Sequence, residues 1–505
     1  MMNASNLLFR RQFLMTPLNC PSLDHWNRAA HGNFNVYAHP DTGLTTVTSA
    51  KCIRQATLIG YMIDPGNPKR TNADLLNDLL YRSGSVDDVA DLLHPIAGRF
   101  VLILNIRGDH FIFHDPCGLR SVFYTRYRGQ AHFGSQPTLF ECVMPIRKSH
   151  RYYEFKVSGY ARRAEPWLPS GYSLYEDIYH LIPNHRLQVS SLEQVRYWPV
   201  RKLQGKSLHQ GVQEAADLLK KIIEAGNERF PLALPLTSGW DSRLLLAACR
   251  DIAHDIYFYT LQYGRLKTSS SDIKIPVKLL RSLGFKHHLI DCRKDADPDF
   301  SRLYRKTYQP HESWEKMAWG MVETYPSDRV CVKGNGSEIC RCFYYKSGRH
   351  EPIVSAEQLV ETREGWEQLP FVHKQFSTWF TKTASAIGDL NIDILDLFYW
   401  EHRMGSWQAQ YQLEWDIVQE TFTPYSHRGL IEAMLGVSAL YRCDPDYLLY
   451  KNMWEVLWPD VLRQPINPPS TLKAKTTARL IDFLNIIGIK DPVRRVYREY
   501  KGAKA

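Results

Sequence analysis

The stretch of this chain best suited to chemistry is Thr237-Ser238-Gly239-Trp240-Asp241-Ser242, a run of hydroxyl residues with a glycine and a carboxylate. Phe230 to Leu236, just before it, is apolar and reads as a short buried strand. Arg243 to Cys249, just after it, has the composition of a helix. A strand, a turn of small residues and a helix aim free backbone N–H groups at an anion such as the pyrophosphate of ATP, because the first turn of a helix has N–H groups with no intrahelical partner. Thr237, Ser238 and Ser242 add hydroxyl donors, Gly239 lets the backbone approach closely, and Asp241 is a ligand type for Mg²⁺. Arg243, just inside the helix, either touches a phosphate or stands exposed. No Gly-Lys-Ser/Thr follows, so this is not the Walker pattern. The plainer alternative is a strand-to-helix turn capped by its own hydroxyl residues.

A second stretch has the same character. The apolar run Val330-Cys331-Val332 leads into Lys333-Gly334-Asn335-Gly336-Ser337-Glu338. Gly334 and Gly336 suit a loop on the phosphate side of a nucleotide, and Asp241 with Glu338 would supply two carboxylates for Mg²⁺; the alternative is a β-turn with an exposed Glu. Among other candidates, His287-His288 is a metal or a structural pair. Asp272 caps a helix or reaches the nucleotide. Trp314, Trp319 and Tyr344-Tyr345 wall an acyl pocket or pack a core.

The elements that must position these residues follow from pattern. Up to about residue 200 the chain is dominated by short β-like runs. Val101 to Ile106 and Phe111 to His114 flank Gly108-Asp109 as a hairpin, which Val122-Phe123-Tyr124 and His132-Phe133-Gly134 continue. From Ser207 helical stretches (Gly211 to Ala225, Ile273 to Leu283, Arg428 to Leu435) alternate with strands at Ile256 to Thr260 and Val330 to Val332, the pattern of a doubly wound parallel sheet. The polar segment Lys202 to Lys206 is the expected boundary between domains over 1–205 and 206–505. Net charge is +10, but 63 basic and 53 acidic side chains are spread along the chain, so no nucleic-acid surface is expected. No run of about 18 apolar residues suggests a membrane span. The 10 cysteines show neither zinc spacing nor a disulfide framework, as expected of a reduced, cytoplasmic protein.

Taken together, these motifs resemble those of a known family. Thr237 to Ser242 is similar to the PP-loop of ATP pyrophosphatases, Ser-Gly-Gly-x-Asp-Ser, with Thr237 for the first Ser and Ser238 for the first Gly. Gly334-Asn335-Gly336-Ser337-Glu338 is similar to Gly-x-Gly-Ser-Asp, and Glu420-Thr421-Phe422-Thr423-Pro424 to Glu-x-Arg-x-Pro without its Arg. Nearer the N-terminus, Leu92-Leu93, Gly98-Arg99-Phe100, Asp115 to Tyr124, Ser135 to Leu139, Leu174 to Ile178 and Leu181 to His185 with Tyr197-Trp198 follow in order, Asn184 standing where Gly is usual. The chain thus resembles the asparagine synthetase family nearly end to end. The resemblance implies an α/β protein: an N-terminal α-β-β-α glutaminase-like (Ntn) sandwich, then a doubly wound parallel-sheet ATP pyrophosphatase domain with a helical C-terminal part.

Departures from the pattern limit what carries over. Family glutaminases attack with a Cys at position 2, using its own α-amine as base; here Met2 and Asn3 stand there, and Cys20 would become terminal only by processing for which there is no signal. The Asn-Gly-Glu signature is also missing, so glutaminase activity is not expected. The β-lactam synthetases of the family carry a Tyr where this chain has Asn335, so lactam closure is not supported. Where the family has a Lys after an Arg-Gln pair, Arg463-Gln464 is followed by Pro465; Lys473 or Lys475 substitutes, or the step runs differently.

The chemistry the resemblance implies starts from a carboxylate joined to the α-phosphate of ATP. Thr237, Ser238, Gly239, Trp240, Asp241, Ser242 and Arg243, with Gly334 and Gly336, would hold the nucleotide; Asp241 and Glu338 would hold Mg²⁺. Glu420 would accept a proton from the attacking amine, with Lys473 or Lys475 assisting. ATP and Mg²⁺ are the expected cofactors; a small-molecule carboxylate and an ammonia or amine donor are the expected partners. Two other classes stay open: a non-catalytic nucleotide-binding or scaffold protein, and a PP-loop enzyme that modifies a nucleic acid, which would call for a basic stripe or a catalytic Cys pair.

Overall fold

The computed structural model of the protein describes residues 6–49, 54–163, 166–307 and 312–468. It is a mixed α/β structure in which residues 13–196 build two six-stranded antiparallel sheets and residues 232–422 supply a five-stranded parallel sheet. The first sheet runs in the order Tyr179–His180, Phe123–Tyr127, Gln130–Gly134, Phe13–Thr16, Phe34–Ala38, Asn27–His31. The second runs Glu193–Arg196, His185–Gln188, Asp109–His114, Ala97–Ile106, Arg54–Ile63, Leu44–Thr48.

Alternation along each strand decides what lies between the sheets. Phe13, Met15, Val36 and Phe133 of the first sheet meet Ile59, Ile103 and Ile112 of the second in one buried cluster. Leu14 and Tyr37 face the other way and pack with Leu23, Leu139 and Phe140 from the short 3₁₀ turns Pro21–Leu23 and Pro137–Cys142. On the far side of the second sheet, Leu58, Leu102 and Leu104 share a core with Leu75, Leu76, Leu79 and Leu80 of helix Asn72–Arg82. The expected α-β-β-α layering is therefore corrected on one side: among the described residues no long helix joins the outer cluster of the first sheet.

The Ala97–Ile106 and Asp109–His114 strands form the expected hairpin, turning through Arg107 and Gly108 at φ +57° and +94°, the conformation a two-residue hairpin loop demands. The next hairpin, Phe123–Tyr127 with Gln130–Gly134, does not continue it; it belongs to the opposite sheet. Asp115 is the reason. Its carboxylate accepts the N–H groups of Cys117, Leu119 and Arg120 (3.2, 3.0 and 2.9 Å) and bends the chain across from one sheet to the other.

Ser207 and Gln210 form a capping box at the start of the 22-residue helix Leu208–Arg229, which opens the second part. The parallel sheet has the order His288–Asp291, Tyr257–Gln262, Leu232–Pro235, Val330–Val332, Thr421–Phe422. Leu232, Leu234, Phe258 and Val332 face a core shared with helices Leu208–Arg229 and Trp240–Ala248. Ala233, Tyr259 and Cys331 face Phe300, Trp314, Met317 and Met321 of helices Pro298–Tyr304 and Glu312–Thr324. Helices thus cover both faces, as the βα alternation predicts. Because the chain adds strands first to one side of Leu232–Pro235 and then to the other, the order reverses between Leu232–Pro235 and Val330–Val332. In open parallel sheets the ligand crevice lies at such a reversal, at the carboxyl ends of the strands.

The two parts meet through buried charge. Arg99 forks onto Asp416, with Nη2 2.8 Å from Oδ2, and its Nη1 also reaches Glu420 at 3.0 Å. Arg120 meets the other Glu420 oxygen at 2.9 Å, and Arg11 donates to the Asp416 carbonyl at 2.6 Å. Asn184, at φ +68° where the family pattern has Gly, is fully buried; it accepts from Arg428 (2.5 Å) and donates to Glu401 (3.0 Å). Asn is among the few side chains that tolerate this left-handed backbone. Replacing Arg99 by Met leaves Asp416 buried without its fork and is expected to cost about 3–5 kcal/mol, read from urea denaturation followed by tryptophan fluorescence.

Candidate nucleotide-binding site

Both candidate loops lie at the crevice. Leu236 to Gly239 follow the strand Leu232–Pro235, and the nine-residue helix Trp240–Ala248 begins directly after, with no side chain capping it. The first N–H groups of that helix are therefore left without a side-chain acceptor, as an anion site requires. The loop before it is held from within. Thr237 N–H donates to Ser242 Oγ (3.2 Å) and Gly239 N–H to Thr237 Oγ1 (3.1 Å). Ser238, buried, donates its N–H and hydroxyl to Asp272 Oδ1 (3.2 and 2.5 Å). Asp272 thus neither caps its own helix, Ser271–Leu283, nor stands free; it fastens that helix to the loop.

The second loop, Lys333 to Glu338, comes against the first. A Cβ on Gly334 would lie 2.9 Å from Asp241 Cβ, so only glycine allows this approach. Gly336 takes φ +106°, a left-handed turn that delivers Ser337 and Glu338 to the crevice. Ser337 Oγ donates to Asp241, and Tyr450 holds the Ser337 carbonyl at 2.7 Å.

Asp241 and Glu338 do converge, but on an arginine. Arg341 Nη2 lies 3.1 Å from Asp241 Oδ2 and 3.2 Å from Glu338 Oε1. The remaining oxygens are also engaged: Asp241 Oδ1 takes the Ser337 hydroxyl, and Glu338 Oε2 takes the Gly336 N–H at 3.0 Å. Burial, and then the nearby Asp241, push the Glu338 carboxyl above the usual range. A hard divalent cation needs about six oxygen ligands. Here the carboxylate oxygens are already taken, and no trio of His, Cys, Asp or Glu suited to a metal occurs among the described residues. The pair as arranged does not fit Mg²⁺, which corrects the metal-binding role expected of Asp241 and Glu338.

Three further expectations change. Arg243 is almost fully buried and donates to the carbonyls of Val461 (2.7 Å), Gln464 (2.8 Å) and Pro465 (3.2 Å), so it reaches no phosphate. It clamps the segment 459–467 beside the loop, where Asn467 N–H donates to the Ser238 carbonyl at 2.9 Å. The Trp240 ring stacks on Trp454 at 4.8 Å; it anchors the helix, leaving only its backbone to the site. Glu420 precedes the edge strand Thr421–Phe422, at the end of the sheet opposite the loops, and is held by Arg99 and Arg120. Burial pushes its carboxyl up, but Arg120, Arg99 and Arg11 outweigh this and hold it at about 2. A carboxylate so paired is a poor proton acceptor. Lys473 and Lys475 lie outside the described residues.

The remaining candidates are structural. His287 sits 2.8 Å from Thr260 Oγ1, and His288 stacks on Tyr257. Trp314 lies in the core beneath the parallel sheet, and Tyr345 donates to Asp396 at 2.7 Å. Lys333 is buried over the rings of Tyr411 and Trp415, away from the carboxylates. Cys20 is buried four residues beyond the first strand and is not placed as a terminal nucleophile. Arg341 was the residue to find. It lies three after Glu338, a spacing that brings side chains together on a helical turn.

No protein-family profile and no curated protein matches the chain. Among solved structures it is similar to the allosteric regulatory enzyme of purine biosynthesis, with 11% identity over 61% of this chain and 75% of that one and a TM-score of 0.27. It is similar, too, to glutamine phosphoribosylpyrophosphate amidotransferase from B. subtilis complexed with ADP and GMP (11%, 66% and 72%, TM-score 0.24). A third is glutamine-dependent NAD⁺ synthetase from Acinetobacter baumannii in complex with adenosine diphosphate (14%, 43% and 39%, TM-score 0.19). Likenesses this slight carry no weight for function, which rests on the residues themselves. No helix among the described residues is long and apolar enough to cross a membrane.

The position of Glu420 has a measurable consequence. Its folded carboxyl, at about 2 against an ordinary 4.5, contributes stability that is complete above pH 4.5 and is lost as pH falls toward 2. Acid titration of unfolding in the wild type and in Glu420→Gln is expected to show a shallower loss across that window in the variant.

Proposed function

We propose that the protein is an ATP-dependent carbon–nitrogen ligase of the AMP-forming kind, whose nucleotide lies in the crevice between the Thr237–Ser242 and Gly334–Glu338 loops. The observation that carries this reading is the contact of the two loops at the reversal of strand order, through Ser337 and Asp241. In this reading the first-turn N–H groups of Trp240, Asp241 and Ser242 and the hydroxyls of Thr237 and Ser242 hold the pyrophosphate. A carboxylate attacks the α-phosphorus, the bond to the β-phosphate oxygen breaks, and an acyl-adenylate and pyrophosphate result. Ammonia or an amine then adds as its neutral form at the acyl carbon. AMP leaves, and the excess proton passes to water, since Glu420 is held by Arg99 and Arg120.

A second reading, a nucleotide-binding protein without ligase activity, is favoured by the sequestered Glu420 and by the arginine on the carboxylate pair. Calorimetric titration with α,β-methylene-ATP separates both from no nucleotide function. The wild type is expected to bind, and Ser242→Asp, which sets a carboxylate beside the phosphates, to bind at least about tenfold more weakly. Pyrophosphate release from ATP in the presence of carboxylic acids and ammonium then supports the ligase. Binding without release for any acid favours the second reading, and a folded wild type that does not bind sinks both.

A further inference from the structure

We propose that Arg341 is a built-in cation that takes the place of a divalent metal at the Asp241–Glu338 pair, so that this site holds its nucleotide with no metal bridge to the protein. The nucleotide half of the proposal rests on the reading above; the cation half does not.

The geometry is that of a single positive centre between two carboxylates. One nitrogen, Nη2, meets an oxygen of each, at 3.1 and 3.2 Å. The other oxygen of each carboxylate is satisfied by a neutral donor of the same loop, Ser337 Oγ or Gly336 N–H. A metal would have to break these contacts and displace a guanidinium whose charge is permanent. Arg341 is also held in place. Its side chain is 15% exposed, its backbone N–H donates to the Glu338 carbonyl at 3.2 Å, and its guanidinium lies over the Tyr450 ring at 5.8 Å. The Tyr450 hydroxyl in turn fixes the Ser337 carbonyl. The turn Ser337–Cys340 and the helix Leu448–Leu457 therefore present the cation as a fixed part of the loop.

Electrostatics agrees. Two bare carboxylates at a phosphate site would repel the ligand, and most such sites answer with a metal. With Asp241 and Glu338 both paired to Arg341, the anion meets a helix N-terminus with less opposing charge than two bare carboxylates would present. The same substitution removes the means to chelate. Two carboxylates freed of the guanidinium would form the start of a divalent site, so removal of Arg341 should restore one.

Titration with Mn²⁺, followed by the loss of its free electron paramagnetic resonance signal, tests this without any nucleotide. The wild type is expected to take up no Mn²⁺ at this site, Arg341→Met to gain one bound ion per chain, and Arg341→Met/Asp241→Asn to lose it again. Uptake by the wild type that disappears in Asp241→Asn overturns the proposal, as does an Arg341→Met variant that is folded by circular dichroism yet gains no ion. The nucleotide half is read separately by titrating α,β-methylene-ATP with Mg²⁺ and with EDTA. Wild-type affinity is expected to be equal in both, and a loss of about tenfold or more in EDTA overturns the metal-free mode. A wild type that binds no nucleotide while Arg341→Met gains its ion refutes the proposed function and leaves the cation replacement standing.

Discussion

A cluster of buried charge, Arg11, Arg99 and Arg120 against Asp416 and Glu420, holds the rest of this structure in register. Arg99 and Asp416 are each about 2% exposed at the side chain, and every member of the cluster hydrogen-bonds across the boundary between the antiparallel sheets and the parallel sheet. Such clusters add little net stability over a well-packed apolar contact, but they are intolerant of misalignment, because any slip leaves a charge without its partner. Here the alignment is passed along the sheet. Tyr61 from the second antiparallel sheet donates to the Thr421 carbonyl at 2.5 Å, next to Glu420. The edge strand Thr421–Phe422 pairs with Val330–Val332, which launches the Gly334–Glu338 loop. The position of that loop at the crevice is thus set partly by arginines in the other half of the molecule.

Buried polar contacts and a shared core tie the N-terminal part to the rest of the molecule in the same way. Its second sheet and helix Asn72–Arg82 share one continuous core with helix Leu208–Arg229. Arg428 joins Asn184 and Tyr197 at 2.5 and 2.7 Å, and Arg196 forks onto the buried Glu401 at 2.5 and 2.8 Å. Without the N-terminal part, Arg428 and Glu401 would lose these partners. The N-terminal part serves the parallel sheet as a wall.

Much of this was legible in the chain because it depends on neighbours in sequence. The Thr237–Ser242 turn, the Gly334–Glu338 turn and the 97–114 hairpin are local constructions, set by Gly, hydroxyl residues and apolar runs at short spacing. What depended on distant residues was not legible. Glu420 looks like a free carboxylate until Arg99 and Arg120, 321 and 300 residues earlier, are set beside it. Arg243 looks like a phosphate contact until three carbonyls more than 200 residues later are found around it. The transfer of the 123–134 hairpin to the opposite sheet turns on how Asp115 folds back on its own chain. Arg341 lay between readable and hidden: its spacing from Glu338 signalled a contact, but its approach to Asp241 needed the parallel sheet.

The clamp between Arg243 and the 461–465 carbonyls also sets an order of events at the ribosome. The Thr237–Ser242 turn emerges first, and the carbonyls that clamp the adjoining Arg243 and the Asn467 N–H that meets Ser238 follow 218 to 229 residues later. At ordinary elongation rates that is roughly 10–45 s of synthesis. For that interval the growing chain carries the strand, the turn and the helix without the 459–467 segment, together with a buried-type arginine that has no carbonyls to meet. Any encounter with nucleotide in that interval is therefore with an unfinished turn.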